Sequence, residues 1–297
     1  MIGILGAGAL GRLWAALLPE GESAFLPRPG MDPAAPPVRY TFASLDGRQT
    51  IMTRSWLASG TQPDLVLVAT KAGDTLEALT PWVSNLPTKV PILLLQNGLG
   101  SQQAVANAWP THPILAASTT EGANRPTPNK VIHAGSGDTW IGPLTAPGKN
   151  HLDSVVTELR ASGLRVHEER DILHRLWQKL VVNAGINPFT AILDCANGEI
   201  LSDPFFLTQI DPLCNEIAAI MQAEGIGKAK PKELRDRIET VARNTARNTS
   251  SMRADRLAGR KTEIDYINGY LARLGQQLKI PVPVNQSLTD RVKQLSE

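Results

Sequence analysis

The stretch Ile2-Gly3-Ile4-Leu5-Gly6-Ala7-Gly8-Ala9-Leu10-Gly11 joins an apolar run to three glycines with the spacing G-x-G-x-x-G. After a strand, the first glycine allows a tight turn, the second lets a pyrophosphate approach the backbone, and the third lets the next helix pack closely. The start of that helix presents N–H groups to the anion. A glycine turn that only packs a strand on a helix is the alternative, but the position and the flanks favour nucleotide binding. We therefore expect cofactor contacts from Gly6, Ala7, Gly8, Ala9, Leu10 and Gly11.

The same alternation of strand and helix patterns continues along the first half. Apolar runs lie at residues 65–69, 92–95 and 114–117, and helical patterns at 10–18, 75–83 and 102–108. Continuous apolar strands are typical of a parallel sheet covered on both faces, and right-handed βαβ units connect such strands economically. We predict an α/β fold with an N-terminal Rossmann-type, doubly wound sheet. Residues 38–53 and 130–141 are predicted to be hairpins at its edge, and the proline-rich residues 27–37 a surface loop.

The strand pattern ends after His167, and helical spacing of apolar residues follows at 173–182, 204–224, 231–245 and 262–278. Asn187-Pro188 and Asp203-Pro204 each place a capping side chain before a proline suited to the first position of a helix. The sequence predicts a nucleotide-binding domain at 1–167 and an all-α, C-terminal domain at 168–297 that binds the substrate and carries the catalytic group. The cleft between them is the expected ligand site.

Composition and charge exclude several classes of protein. The 297 residues include 30 Lys and Arg against 28 Asp and Glu, which is too balanced to drive binding to nucleic acid or an acidic membrane. Cys195 and Cys214 stand far apart without metal-spaced histidines, so we expect neither disulfides nor a metal site. Met1 leads into the first strand without a signal-peptide pattern, and no apolar run reaches the ~20 residues of a membrane helix. We expect a cytoplasmic monomer or homodimer with a small-molecule partner.

The segment after the glycines points to a particular cofactor. NAD enzymes place an acidic residue about 20 residues further on, against the ribose hydroxyls. This chain has Ser23-Ala24-Phe25-Leu26-Pro27-Arg28 there, and the Arg28 guanidinium can hold a 2′-phosphate that an aspartate would repel. A solvated loop arginine is the alternative. Because the acidic residue is missing, we expect NADPH rather than NADH.

Polar residues follow two of the predicted strands. Lys71 comes after residues 65–69, and Asn97-Gly98 comes after 92–95, so both lie at the carboxyl ends of strands, where open α/β sheets bind ligands. The ordinary explanations are a surface charge for Lys71 and a simple turn for Asn97-Gly98. Because a lysine at a helix start opposes the helix dipole, a nearby anion explains Lys71 better.

The second half carries a row of polar residues in an apolar setting. Lys179 and Asn183 share one helix face, and Asn187 either continues that face or caps the next helix. One ammonium and two amides among Leu, Val, Ile and Trp could form a pocket that binds the carbonyl and hydroxyl groups of a ligand. The alternative is a lysine that extends from a core helix to solvent, with asparagines that only cap helices. Further on, the predicted helix 262–278 has a structural explanation for each of its first two residues. Either Thr262 caps this helix, or Glu263 lies in its first turn, where the helix dipole favours a carboxylate.

These motifs resemble the ketopantoate reductase (2-dehydropantoate 2-reductase) family. The matching pieces are GAGALG at 6–11, TKA at 70–72, QNGLG at 96–100, WQKLVVNAGINPFTAILDCANGEI at 177–200, SSM at 250–252 and KTEIDYING at 261–269. They span nearly the whole chain, and the pieces at 177–200 and 261–269 are specific to this family. Thr120-Glu121-Gly122 departs from the family pattern, which often has a histidine or small residues there.

The resemblance implies NADPH-dependent reduction of ketopantoate to pantoate, a step of pantothenate biosynthesis, with residues 1–167 holding NADPH. It implies that Lys179 is the catalytic lysine and that Glu263 binds the substrate. Our chemical hypothesis is that Lys179 acts as the general acid, with a pKa lowered by its apolar helix face, and that Glu263 accepts a hydrogen bond from the substrate hydroxyl. Substrate contacts are expected from Asn97, Asn183, Asn187, Asn197, Ser251 and Glu263, and further cofactor contacts from Arg28, Lys71, Asn97 and Glu263. Two alternatives remain: a related NADP-dependent 2-oxo acid reductase, and an NADPH-binding regulator without turnover.

Overall fold

The computed structural model describes residues 1–28, 30–32 and 35–295 of the chain. It divides into two compact units: unit 1 comprises Met1–Gln96 and Ser101–Ile172, and unit 2 comprises Asn97–Gly100 and Leu173–Glu297. The short segment Asn97–Gly100 thus groups with the helices of the second half, which the sequence did not indicate. The division of roles between residues 1–167 and 168–297 stays a prediction. In the expected loop 27–37, residues 29, 33 and 34 lie outside the described residues.

Unit 1 contains the strands and the first helices of the chain. Its strands are β1 Ile2–Leu5, β2 Ser23–Phe25, β3 Val38–Ala43, β4 Gln49–Arg54, β5 Leu65–Val68, β6 Ile92–Leu94, β7 Ile114–Thr119, β8 Gly122–Thr127, β9 Lys130–Gly135, β10 Asp138–Pro143 and β11 Arg165–Glu168. Its helices are α1 Ala9–Leu17, α2 Thr75–Val83, α3 Ser101–Ala108, α4 Ala146–Lys149 and α5 Leu152–Arg160.

The main sheet of unit 1 has, in the described part of the chain, seven strands in the order β11-β10-β7-β6-β5-β1-β2. Strands β2, β1, β5, β6 and β7 are mutually parallel, whereas β10 runs antiparallel to β7. Leu65 and Leu67 of β5 enter one hydrophobic core with Trp14 of α1, and Val66 and Val68 enter a second core with Leu79 of α2. Because both faces are covered, the strands are continuously apolar. The predicted α/β, doubly wound fold is confirmed.

A second sheet, with the order β4-β3-β9-β8 among the described strands, lies beside this framework in unit 1. The predicted hairpin at 38–53 is confirmed, since β3 and β4 pair antiparallel and Gly47 has a φ of 81°. The predicted hairpin at 130–141 is wrong, because β9 pairs with β3 and β8 while β10 joins the main sheet. Gly137 lies where the chain changes sheets, and a Cβ there would be 2.3 Å from the Thr120 carbonyl carbon. Strand β8, which is partly exposed throughout, was not predicted.

Unit 2 is helical, as predicted. Its helices are α6 Ile172–Leu193, which begins one residue before the unit does, α7 Pro204–Ala223, α8 Pro231–Asn244, α9 Ser251–Leu257, α10 Asn268–Leu278 and α11 Pro283–Gln294. Short 3-10 helices lie at Glu199–Ser202 and Ile264–Tyr266. Within the described ranges, no helix combines the length and apolarity required to cross a lipid bilayer.

Two predicted helix starts in unit 2 are wrong, and one is confirmed. Asp203 caps α7 by accepting a hydrogen bond from the Phe205 N–H at 2.8 Å. Asn187-Pro188, in contrast, lies inside α6 and starts no new helix. The predicted helix 262–278 is split into a 3-10 helix and α10, since the backbone at Ile267 (φ −112°, ψ −98°) is not helical. Thr262 therefore caps no helix of this length.

Candidate active site

The side chains of Lys179, Asn97 and Glu263 come together in unit 2. Lys179 Nζ donates a hydrogen bond to Asn97 Oδ1 at 2.8 Å, and Asn97 Nδ2 donates to Glu263 Oε2 at 3.1 Å. Lys179 is on α6, Asn97 is on the segment that follows β6, and Glu263 directly precedes a 3-10 helix. Glu263 is buried, with 9% of its surface exposed. The amide of Asn97 therefore links an ammonium to a buried carboxylate.

The segment Asn97–Gly100 is held against unit 2 by its backbone. The Leu99 N–H donates to the Tyr266 carbonyl oxygen at 2.8 Å. Gly98 has a φ of +76°, and a Cβ there would lie 2.0 Å from the same oxygen. Glycine is required at this position by both the conformation and the close contact. Asn97-Gly98 is thus more than a simple turn, because it delivers the Asn97 amide to Lys179.

The electrostatic setting of Lys179 suits proton donation. Burial lowers the pKa of its ammonium to about 8, and the negative charge of Glu263 acts in the opposite direction by raising it. Desolvation is the larger effect, because it penalises the charged form. At pH 7 the group is still mostly protonated, yet it releases its proton more readily than a surface lysine does. Such a group can act as a general acid near neutral pH.

The rest of the polar row lies along the same helix. Asn183 and Asn187 follow Lys179 at intervals of four residues in α6, a spacing that places all three on one face. Asn183 is partly exposed, and Asn187 is buried with 7% of its surface exposed. Of the two alternatives for Asn187, the structure shows continuation of the helix face.

Asn197 makes hydrogen bonds with other residues of unit 2, and Ser251 is the first residue of α9. Asn197 Nδ2 donates to Thr245 Oγ1 at 3.0 Å, and its N–H donates to the Asn248 carbonyl at 3.0 Å. Ser251 is exposed at the start of α9, where the neighbouring Ser250 provides the cap by accepting from the Arg253 N–H at 3.1 Å. These contacts give Asn197 a structural role, and its contact with the substrate stays a prediction.

The glycine-rich turn in unit 1 has the geometry of a phosphate cradle. Gly6 has a φ of +108°, and a Cβ there would lie 2.8 Å from the Ala69 carbonyl oxygen. A Cβ on Gly11 would lie 2.0 Å from the Gly6 carbonyl oxygen, whereas a Cβ on Gly8 would meet its nearest neighbour, the Ala69 oxygen, only at 3.9 Å. The space beside Gly8 is therefore open. Helix α1 begins there without a side-chain cap and without an acidic residue in its first turn, so the residues present fit an anionic group.

Two further cofactor candidates lie at the same edge of the sheet. Arg28 follows β2 and Lys71 follows β5, and these strands are the parallel neighbours of β1 on its two sides. The Arg28 side chain is exposed. Arg125 was not predicted: its guanidinium donates to the Ala7 carbonyl oxygen at 3.4 Å from β8, a strand that the sequence pattern did not reveal. In the part of the chain that the structure describes, no group of His, Cys, Asp and Glu could hold a metal ion.

Comparison with known families gives matches over both halves of the chain. The family described as ketopantoate reductase PanE/ApbA matches residues 2–146, and its C-terminal part matches residues 171–296. The 2-dehydropantoate 2-reductase of Vibrio cholerae is 36% identical over 297 residues, which cover 99% of this chain and 97% of that protein. The enzyme of the same name from Escherichia coli O157:H7 is 36% identical over 298 residues, which cover 98% of this chain and 94% of that protein.

Solved structures agree with these matches. A 2-dehydropantoate 2-reductase from Geobacter metallireducens superposes with a TM-score of 0.81 at 26% identity and covers 99% of each chain. D-mandelate dehydrogenase with NADH and anilino(oxo)acetate superposes with a TM-score of 0.85 at 23% identity and covers 100% of this chain and 98% of that one. A dimeric ketopantoate reductase from Staphylococcus aureus superposes with a TM-score of 0.82 at 20% identity and covers 99% of this chain and 98% of that one. At these lower identities the likeness shows the fold alone. From the family matches and the full-length relatives it follows that the chain belongs to the ketopantoate reductase PanE/ApbA family.

Proposed function

We propose that this protein reduces 2-dehydropantoate (ketopantoate) to pantoate with NADPH, and that Lys179 is the general acid. The observation that carries the proposal is the bridge from Lys179 through Asn97 to the buried Glu263. Its support comes from relatives named 2-dehydropantoate 2-reductase that are 36% identical over almost the whole chain.

The chain's own residues supply the proton and the orientation of the substrate. NADPH, when bound, supplies the hydride that reduces the ketone carbon. As negative charge develops on the ketone oxygen, the Lys179 ammonium donates a hydrogen bond to it and then a proton. One well-placed donor of this kind contributes roughly 10² to 10³ in rate. Glu263 accepts a hydrogen bond from the substrate hydroxyl and so fixes which face of the ketone carbon receives the hydride.

Asn97 orients both Lys179 and Glu263. Its Oδ1 accepts from Lys179 and its Nδ2 donates to Glu263, so the amide holds the two side chains at a fixed spacing before substrate arrives. Asn183 and Asn187, on the same face of α6, are proposed to bind the substrate's polar groups. Asn197 and Ser251 are proposed contacts on the strength of the family motif.

For the cofactor, the glycine-rich turn is proposed to bind the pyrophosphate and Arg28 the 2′-phosphate. Lys71 adds a second positive charge at the same edge of the sheet. The D-mandelate dehydrogenase structure contains NADH, so the choice of NADPH for this chain rests on Arg28 and on the lack of an acidic residue between the end of β2 and Arg28. A cytoplasmic location, and a monomeric or homodimeric state, stay predictions.

The test is loss of NADPH absorbance when 2-dehydropantoate is added to the purified protein. Parallel assays use simple 2-oxo acids that lack the hydroxyl. A higher kcat/KM for 2-dehydropantoate supports the proposal, whereas a preference for a simple 2-oxo acid indicates the related reductase. NADPH binding without turnover of any of these acids indicates a regulator instead.

A further inference from the structure

Helix α6 has a gap in its hydrogen bonding between Asn183 and Asn187. Pro188 has no N–H, so the usual donor to the Ala184 carbonyl, four residues earlier, is missing. A helix with such a gap bends easily unless other groups hold the freed carbonyl. The position of Asn187 relative to Lys179 therefore depends on what binds Ala184.

Asn268, at the start of α10, supplies the missing donor. Its Nδ2 donates to the Ala184 carbonyl oxygen at 3.2 Å and to Asn285 Oδ1 at 3.1 Å. Both asparagines have 0% of their surface exposed. Among the described residues, Asn268 Oδ1 has no hydrogen-bond partner. The Asn268 amide nitrogen thus donates to both neighbours, and its role toward α6 is to donate to the Ala184 carbonyl.

The orientation of this amide is fixed from the other side by Glu216 of α7. Its carboxylate accepts from Asn285 Nδ2 at 2.8 Å, from the Asn285 N–H at 3.0 Å and from the Val284 N–H at 2.7 Å. Because the Asn285 amide nitrogen must face the carboxylate, its oxygen faces Asn268. The series Glu216, Asn285, Asn268, Ala184 therefore has one direction, and it ties α7, α11 and α10 to the gap in α6.

We propose that Asn268 is a positioning residue for the reaction: by binding the carbonyl that Pro188 leaves free, it sets the angle between the two parts of α6 and so the place of Asn187 relative to Lys179. This inference rests on the proposed function, in which the row on α6 binds the substrate. It concerns the substrate alone, so KM for 2-dehydropantoate changes while affinity for NADPH does not.

The experiment compares Pro188→Ala, Asn268→Ala and the double variant with the wild type. Pro188→Ala gives the Ala184 carbonyl a donor within the helix, so it removes the gap that Asn268 fills. We expect Asn268→Ala to lower Tm and to raise KM by about tenfold, as loss of a substrate contact does. Pro188→Ala keeps or raises Tm but also raises KM. The double variant regains Tm relative to Asn268→Ala and keeps the raised KM.

Pro212→Ala is the matched control, because Pro212 lies inside α7 and is exposed. It keeps the wild-type KM, and all variants keep the wild-type NADPH dissociation constant in a fluorescence titration. A wild-type KM in Pro188→Ala overturns the inference, and this comparison stands even if Asn268→Ala fails to fold. A loss of Tm in Asn268→Ala without a rise in KM overturns it as well. A wild-type protein that does not turn over 2-dehydropantoate refutes the proposed function, and with it this inference, before any variant is made.

Discussion

The Lys179 ammonium and the Asn97 side-chain oxygen are joined by a hydrogen bond of 2.8 Å, and the nitrogen of the same amide donates to Glu263. An ammonium can only donate and an ionised carboxylate can only accept, so the two charged groups determine which way the amide points. The three side chains consequently act as one unit. A change in any one of them alters the surroundings of the other two.

Replacing Lys179 by Ala should lower kcat by roughly 10² to 10³, because the developing oxyanion loses its donor. Affinity for NADPH should stay the same. Steady-state kinetics and a fluorescence titration measure the two quantities. Lys232→Ala is the control, since Lys232 is a surface lysine on α8 that pairs with Asp236. Wild-type turnover in Lys179→Ala would remove the proposed role.

The pH profile should report the pKa of Lys179. Since burial brings this pKa down to about 8 and the protonated form is the active one, kcat should be constant well below pH 8, reach half its maximum near pH 8 and fall further above it. Glu263 raises this pKa, so Glu263→Gln should shift the alkaline limb to lower pH, besides raising KM. A limb that stays in place or moves upward in Glu263→Gln would contradict the assignment.

Two glycines of the phosphate turn should respond differently to a methyl group. Gly11→Ala puts a Cβ 2.0 Å from the Gly6 oxygen, so it should lower the free energy of unfolding by at least about 1–3 kcal/mol. In Gly8→Ala the new Cβ would lie 3.9 Å from its nearest neighbour, the Ala69 carbonyl oxygen, so Tm should stay unchanged. NADPH binding should weaken, because the methyl group occupies the open space beside the turn. Thermal denaturation and titration separate the two effects. If Gly8→Ala bound NADPH normally, the phosphates would have to lie elsewhere.

Arg28→Ala should weaken NADPH binding and leave NADH binding unchanged. Loss of a charge-assisted hydrogen bond to the 2′-phosphate costs about 1.5–3 kcal/mol, or roughly ten- to a hundredfold in dissociation constant. Arg48→Ala, in an exposed turn, is the matched control. Equal losses for both cofactors would show that Arg28 does not distinguish them.

The main sheet and most helices could be predicted because their signals are local. Strands that are covered on both faces must be apolar throughout, as Leu65–Val68 is, and Asp203-Pro204 carries its own cap. The errors arise where distant residues decide. Asn187-Pro188 fits a helix start by every local rule, but it lies inside α6. The carbonyl of Ala184, which Pro188 leaves without a donor, accepts a hydrogen bond from Asn268, 84 positions further along the chain. The turn at 135–137 likewise gives no sign that β9 and β10 enter different sheets.

The candidate site was predictable in part for the same reason. Lys179, Asn183 and Asn187 could be grouped by helical spacing alone. The bridge through Asn97 could not, because it joins positions 82 and 166 residues apart and depends on the close approach of Gly98 to Tyr266. Only the family resemblance pointed to Asn97 and Glu263 together.

The helical unit is assembled from two separate stretches of the chain, since Asn97–Gly100 groups with it. A fragment that began at Leu173 would keep the helices of that unit almost intact and still leave Lys179 without its amide partner. The helices from Leu173 onward are therefore not self-sufficient, because the partner of Lys179 lies in the segment that follows β6. A chimaera of two relatives keeps this contact only if the segment after Gln96 retains the asparagine at position 97 and the glycine at position 98.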